Sequence, residues 1–237
     1  MGVRTSAAAI AAMGATMLVG GCGDGAYEPV PRDKAEAASK AALLLQTDFP
    51  EGWASLSPVT TGRANPLGAD LPEDCLLLDL SENKESVAQS KSSPFVNDPE
   101  SVTSYAAAYA EEEKAHARIT GLRDAVNVCR EPLREWLRRF AEEISGENLT
   151  LNIRDFSFEE MPFSSFGEES LALRTTIAVD GVERPTSVTT DLIVLRVGNV
   201  IAGLDYTTTD READGDLEER LMTVIEKRTR ESAESLK

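Results

Sequence analysis

Three kinds of side chain in this sequence could do chemistry: an imidazole, a surplus of carboxylates and a few cysteines. His116 is the only histidine. To act as a general base on a nucleophile it would have to meet a serine brought from elsewhere in the chain. It stands in a charged helical stretch beside an apolar face, which reads as solvated helix surface. Carboxylate pairs occur at Glu142-Glu143, Glu159-Glu160 and Glu168-Glu169. Two carboxylates about 5 to 10 Å apart across a cleft could hydrolyse a glycoside. In a chain with 41 acidic residues, however, adjacent pairs arise from composition alone. The run Asp210-Arg211-Glu212-Ala213-Asp214-Gly215-Asp216 places oxygen ligands at alternate positions and glycine at the sixth, as a calcium loop begins. Its twelfth position is Leu221, where such a loop needs a bidentate Glu, and its third is the longer Glu212. A plainer use is expected: Asp214 or Asp216 caps the final helix, and Glu218 and Glu219 favour its dipole. No nucleophile elbow, phosphate-binding loop, dinucleotide fingerprint or zinc-protease helix is present in the sequence. The expectation is a protein without catalytic activity, cofactor or metal.

The composition narrows the partners. Of 237 residues, 41% are hydrophobic and 27% charged, which is ordinary for one globular domain with extras. Acidic residues number 41 against 24 basic, a formal charge of −17. A polyanion gains affinity by meeting Lys and Arg, so a nucleic acid partner is excluded.

The third kind of residue gives the address. Residues 1–21 carry a single charge, Arg4, then an apolar run from Ala7 to Val19, then Gly20 and Gly21 before Cys22. This is the order of an export signal. The run, about 13 residues, is shorter than the roughly 20 that a membrane-crossing helix needs. Leu18-Val19-Gly20-Gly21-Cys22 resembles the lipobox of bacterial lipoproteins, in which the cysteine sulfur receives diacylglycerol and the signal peptide is cut before it. That resemblance makes Cys22 the lipidated N-terminus, bearing acyl chains such as palmitate and holding the protein on the outer face of the cell membrane. Residues 22–32 are then a short tether, and 33–237 a single folded domain. In an exported chain the two remaining cysteines, Cys75 and Cys129, read as a disulfide. With one histidine they cannot complete a zinc site without carboxylates.

Several elements must position these groups. Asp33, with Glu36 three residues on, suggests a capping box opening a helix to Leu45, which Phe49-Pro50 ends. Residues 52–72 suggest a loop anchored at Trp53 and Leu56. Trp53 reads as a partly buried anchor rather than a groove aromatic. Cys75 to Leu80 is a brief apolar run, and Ser86 to Val96 and Val102 to Tyr109 lean towards strand. Ala115, Ile119, Leu122 and Val126 share a helical face. Pro132 suits the first turn of a separate helix carrying Leu133, Trp136, Leu137, Phe140 and Ile144, closed by Gly146. Beyond it the period changes to two. Leu149, Leu151 and Ile153 alternate, as do Leu171, Leu173, Thr175, Ile177 and Val179, with Arg174, Thr176 and Asp180 on the other face. Asp180-Gly181 and Gly198-Asn199 are hairpin signals, the latter between Leu192 to Val197 and Val200 to Tyr206. Leu217, Leu221, Val224 and Ile225 mark a final helix. Asn148-Leu149-Thr150 matches a glycosylation triplet without meaning in a bacterial lipoprotein. The expected fold is α+β: a curved antiparallel sheet, its C-terminal part a four-strand meander, with helices packed on one face and a concavity left between them.

One family shares this arrangement. The lipobox, Leu-Leu-Gln-Thr-Asp-Phe-Pro-Glu-Gly-Trp at 44–53, Cys75, Ser93-Pro94-Phe95-Val96, the Cys129 helix, Phe166-Gly167-Glu168-Glu169 and Val194-Leu195-Arg196-Val197-Gly198-Asn199 follow in sequence. The chain in this respect resembles the actinobacterial lipoproteins related to the PknH-like extracellular sensor domain, over roughly residues 33–230. The resemblance implies a curved sheet with helices and a cleft for an unidentified ligand. Kinase members carry a transmembrane helix, a kinase and two sensor-domain disulfides; this sequence has neither of the first two and cysteines for one bridge, so signalling is not carried over. The functional expectation is a membrane-anchored, extracytoplasmic, sensor-like domain that binds a small ligand. The alternatives are an envelope hydrolase using paired carboxylates and a scaffold that docks another envelope protein. The nearly continuous apolar strand Leu192 to Val197 should be covered on both faces, one of them by the ligand recess.

Overall fold

A computed structural model of the chain describes residues 30–56, 75, 85–145, 152–180 and 184–237. The signal segment, Cys22, the tether to residue 29, residues 57–72, Leu76 to Leu80, Gly146, the Asn148 triplet, Leu151 and Gly181 lie outside the described residues.

The described chain runs through helix α1 (Arg32–Ala41), a 3-10 turn (Gln46–Asp48) and strands β1 (Ala54–Ser55), β2 (Ala88–Lys91), β3 (Phe95–Asn97) and β4 (Glu100–Ala108). Helix α2 (Glu112–Ile144) follows. Then come β5 (Asn152–Glu160), β6 (Glu169–Asp180), β7 (Pro185–Val197), β8 (Val200–Thr209) and helix α3 (Gly215–Ser235). All eight strands join one open antiparallel sheet in the order β1-β3-β4-β8-β7-β6-β5, with β2 also paired to β4. Strands β5 to β8 are the expected meander. The weakly patterned Val102 segment continues it, because β4 pairs with β8 from Glu100↔Thr208 to Ala108↔Val200. The β7–β8 turn is Gly198-Asn199, with Gly198 at φ +55°, as the glycine-first hairpin turn requires. Gly203 allows β7 and β8 to press together: a Cβ there would stand 2.9 Å from the Val194 Cα.

Helices cover both faces of the sheet, which corrects the expected one-sided arrangement. Along β7, Ile193, Leu195 and Val197 pack with residues of α1 and α3, such as Ala35, Leu221 and Ile225. Val194, between them, packs with Ala115, Ile119 and Leu122 of α2 on the opposite face. The continuous apolar run thus follows from two helical layers, and the recess expected to cover one face is replaced there by α2.

A second correction concerns α2. It is one helix of 33 residues with Pro132 inside, not two helices. Proline removes the N–H that would reach the carbonyl of Val128. Val128 is exposed, so water can serve that carbonyl. Packing also holds the axis on either side: Cys129 before the proline is fully buried, and Leu133 and Leu137 pack on the same core. The Cys75–Cys129 disulfide is formed, with Cα atoms 5.5 Å apart, both residues sealed in that core.

At the N-terminus, α1 stops at Ala41 rather than Leu45 because the Leu44 N–H donates to Ser104 Oγ of β4 at 3.0 Å, drawing the chain off the helix axis. No side chain caps its start: the Pro31 carbonyl takes the Ala35 N–H, and Glu36 pairs with Arg32. Trp53 is a buried anchor against Phe49 and Tyr206, ring centroids 5.1 and 6.3 Å away. Leu56, expected to be a second anchor, is exposed.

Candidate functional site

The sheet register builds an ionic row beneath α3. Arg174 of β6 stands opposite Asp191 of β7, and Asp191 opposite Tyr206 of β8. Arg174 donates from Nε and Nη2 to the two Asp191 carboxylate oxygens at 2.7 and 2.6 Å. This two-pronged geometry is the strong form of the pair. Asp191 is fully buried, whereas Arg174 is about a third exposed. Tyr206 is buried too, and its hydroxyl donates to Glu100 Oε1 at 2.8 Å. Burial, and after it the Glu100 carboxylate, pushes the Tyr206 phenol well above its ordinary range.

Helix α3 adds the third charged group. Asp214 caps it, Oδ1 accepting from the Leu217 N–H at 3.1 Å, as one of the plainer expectations had it. Glu218, four residues on, is one of the two glutamates expected to favour the dipole. It stands in the first turn and is 1% exposed, in the stripe of Leu217, Leu221, Met222 and Ile225 that α3 lays on the sheet. Its Oε1 has no hydrogen-bond partner. Burial, and then the Asp191 carboxylate beside it, pushes Glu218 up to about 8, with Arg174 pulling the other way. At neutral pH Glu218 therefore keeps its proton, since a second buried negative charge next to Asp191 has no second cation to balance it.

Over this cluster lies an open, shallow groove of about 640 Å³. One wall is the connection between β5 and β6, presenting Met161 and Phe163; the other is the first turn of α3, with Asp216 and Glu219; Arg174 and Glu218 line it as well. The connection is strapped to α3 at two points. Ser164 Oγ donates to Glu219 Oε1 at 2.5 Å, and the Gly167 N–H donates to Glu226 Oε1 at 3.0 Å.

The residues singled out in the sequence lie elsewhere. His116 is on the exposed side of α2, where Nδ1 meets Glu169 at 2.8 Å. Arg196 binds both Glu168 and Glu169, at 2.8 and 2.6 Å. Burial works to raise the Glu169 carboxyl, but the His116 and Arg196 contacts outweigh it and hold it below its ordinary value. Glu142, Glu143, Glu159 and Glu160 are exposed. In the acidic segment, Asp210 accepts from the Ser187 N–H and pairs with Arg184. Among the described residues no group of three metal-capable side chains converges, and no helix is long and apolar enough to cross a membrane. A second hollow, of about 580 Å³, opens beside the start of α2 and is lined by Glu111, Glu112, Glu113, Glu168 and Arg230 among others.

Sequence reading missed Asp191 and Glu218 as a site. A signal for Glu218 existed: with Leu221, Met222 and Ile225 it falls at i, i+3, i+4 and i+7, the spacing of one buried face. Nothing local paired it with Asp191, because strand register and helix placement brought them together.

No family model and no curated protein matches the chain. Among solved structures, the chain is similar to the extracellular domain of PknH from Mycobacterium tuberculosis. The identity is 12%, the match covers 86% of this chain and 99% of that one, and the TM-score is 0.49.

Proposed function

We propose that the protein is a lipid-anchored, extracytoplasmic domain that binds a small ligand in the groove over Arg174 and Glu218 and performs no chemistry on it. The observation that carries this reading is the groove itself. Apolar side chains, Met161 and Phe163, stand over a charged cluster whose innermost members are buried. Pockets that recognise small molecules combine apolar walls with a few fixed polar groups in this way. Against the glycosidase alternative stands the burial of Asp191 and Glu218. Glycoside hydrolysis needs two carboxylates facing a substrate across a gap, not two adjoining ones beneath it. The anchor rests on the apolar run ending in Val19-Gly20-Gly21-Cys22. Membership of the PknH-like sensor family is proposed on the quoted segments, of which 44–53 supplies Leu44, Phe49 and Trp53 to the core.

The test is a survey of envelope lipids, glycans and peptides by thermal shift and native mass spectrometry. We expect at least one ligand to raise the melting temperature, with the gain reduced in a Phe163→Ala variant. Stoichiometric co-purification of another envelope protein without any small-molecule shift would favour a scaffold instead. Substrate turnover abolished by one carboxylate substitution would make the protein an enzyme.

A further inference from the structure

We propose that this groove, read above as a ligand site, takes an organic cation, an ammonium or guanidinium group on an apolar body, and that Glu218 releases its proton to solvent as the cation arrives. The charges around the groove point this way. Arg174 is its cation, and both Asp191 oxygens already neutralise it. The α3 wall contributes Asp216 and Glu219, whereas no lysine lines the groove among the described residues. An anion would meet two wall carboxylates and a paired arginine. A cation would meet the carboxylates, and its apolar body would lie against Met161 and Phe163.

Glu218 supplies the specific element. It lines the groove, is 1% exposed, and keeps an oxygen without a partner. The charged groups around it are Asp191 on β7, Arg174 on β6 and Asp214 at the start of α3. Glu212 acts on Arg174, while Tyr206 on β8 is tied to Glu100. This set carries one cation against the buried Asp191, so Glu218 is neutral when the groove is empty. An entering ammonium is the missing second cation. It offsets the Asp191 charge, the electrostatic part of what holds the proton on Glu218 beside its burial, and the charge balance closes with one cation in and one proton out.

The linkage has a definite sign. Glu218 is pushed up to about 8, so below that pH cation binding must expel the proton. Affinity then rises with pH, by at most about ten-fold per unit, and levels off above it. An alkylammonium, with a pKa near that of lysine, roughly 10.4, stays charged throughout and adds no titration of its own.

The test uses the full chain carrying Cys22→Ser, so that no acyl chain interferes. Three probes share one tail: hexylammonium, hexanoate and hexyl glucoside. Calorimetry in buffers of different ionisation enthalpy reads proton release, and amide NMR shifts of 161, 163, 164 and 215–219 locate binding. The expected result is that hexylammonium binds there, more tightly at pH 8 than at pH 6, releasing close to one proton at pH 7. Glu218→Gln should abolish the release and the pH dependence. Phe163→Ala should weaken binding while the release persists, which keeps the proposal testable if the Gln variant fails to fold. Preferential binding of hexanoate or hexyl glucoside in the groove would overturn the cation while leaving the ligand site standing. Binding of hexylammonium without proton release, or no binding of it at all, would also overturn this proposal; the ligand site itself is judged by the envelope survey.

Discussion

Arg174 and Asp191 face each other across β6 and β7 and are joined by two hydrogen bonds of 2.7 and 2.6 Å, one end of the pair about a third exposed and the other fully buried. The exposed end lets the pair line the groove. The buried end ties the sheet to α3, because Asp191 adds to burial in holding the proton on Glu218.

Breaking this pair from one side should be costly. Arg174→Met leaves the Asp191 carboxylate buried without its cation, and breaking a buried pair costs about 3 to 5 kcal/mol. The partial exposure of Arg174 places the expected loss near the lower end, about 3 kcal/mol in urea unfolding. Adding Asp191→Asn should recover part of that loss, because the orphaned charge is gone. Equal losses in the single and double variants would contradict this account.

Stability should depend on pH through Glu218. Its folded value is raised from an ordinary 4.5 to about 8. Between these values the folded chain holds a proton that the unfolded chain has given up, so stability is fully present below about 4.5, declines as pH rises, and levels off beyond 8. Glu218→Gln should remove this component of the slope. Thermal melts of both proteins from pH 5 to 9 check it; identical slopes would refute the assignment.

The disulfide should contribute a large share of the total stability. Cys75 and Cys129 are 54 residues apart in sequence. Closing a loop of that length stabilises by roughly 4 kcal/mol in the chain-entropy model. Reduction, or a Cys75→Ser/Cys129→Ser double variant, should therefore lower the melting temperature by many degrees. Peptide mapping of protein recovered from the envelope should find the two cysteines joined.

Replacing Cys22 by Ala should leave the leader uncut or release the protein from the membrane fraction, because the acyl chains hold it there. Normal processing with unchanged membrane retention would refute the lipid anchor.

Elements whose signal is local are legible from the residues alone. The period-two run around Leu173, the nearly continuous apolar run Leu192 to Val197, the glycine-first turn at Gly198 and the apolar stripe of Leu217, Leu221 and Ile225 each depend on the residues within one segment, and each became the expected strand, turn or helix. The paired cysteines were legible because compartment chemistry, rather than geometry, joins them. Pro132 was misread for the same local reason: it suits a first turn, and only packing on both sides of it keeps α2 continuous. What tertiary structure alone decided was the placement of helices on both faces of the sheet, and with it the site. Arg174 meets Asp191 through the register of β6 on β7, and Glu218 meets both because α3 lies across that row. Those three residues span 45 positions of sequence, in elements whose own periodicities say nothing about one another. A carboxylate's chemistry is set by the charges and burial around it, so the character of Glu218 exists only once the fold has assembled its neighbours.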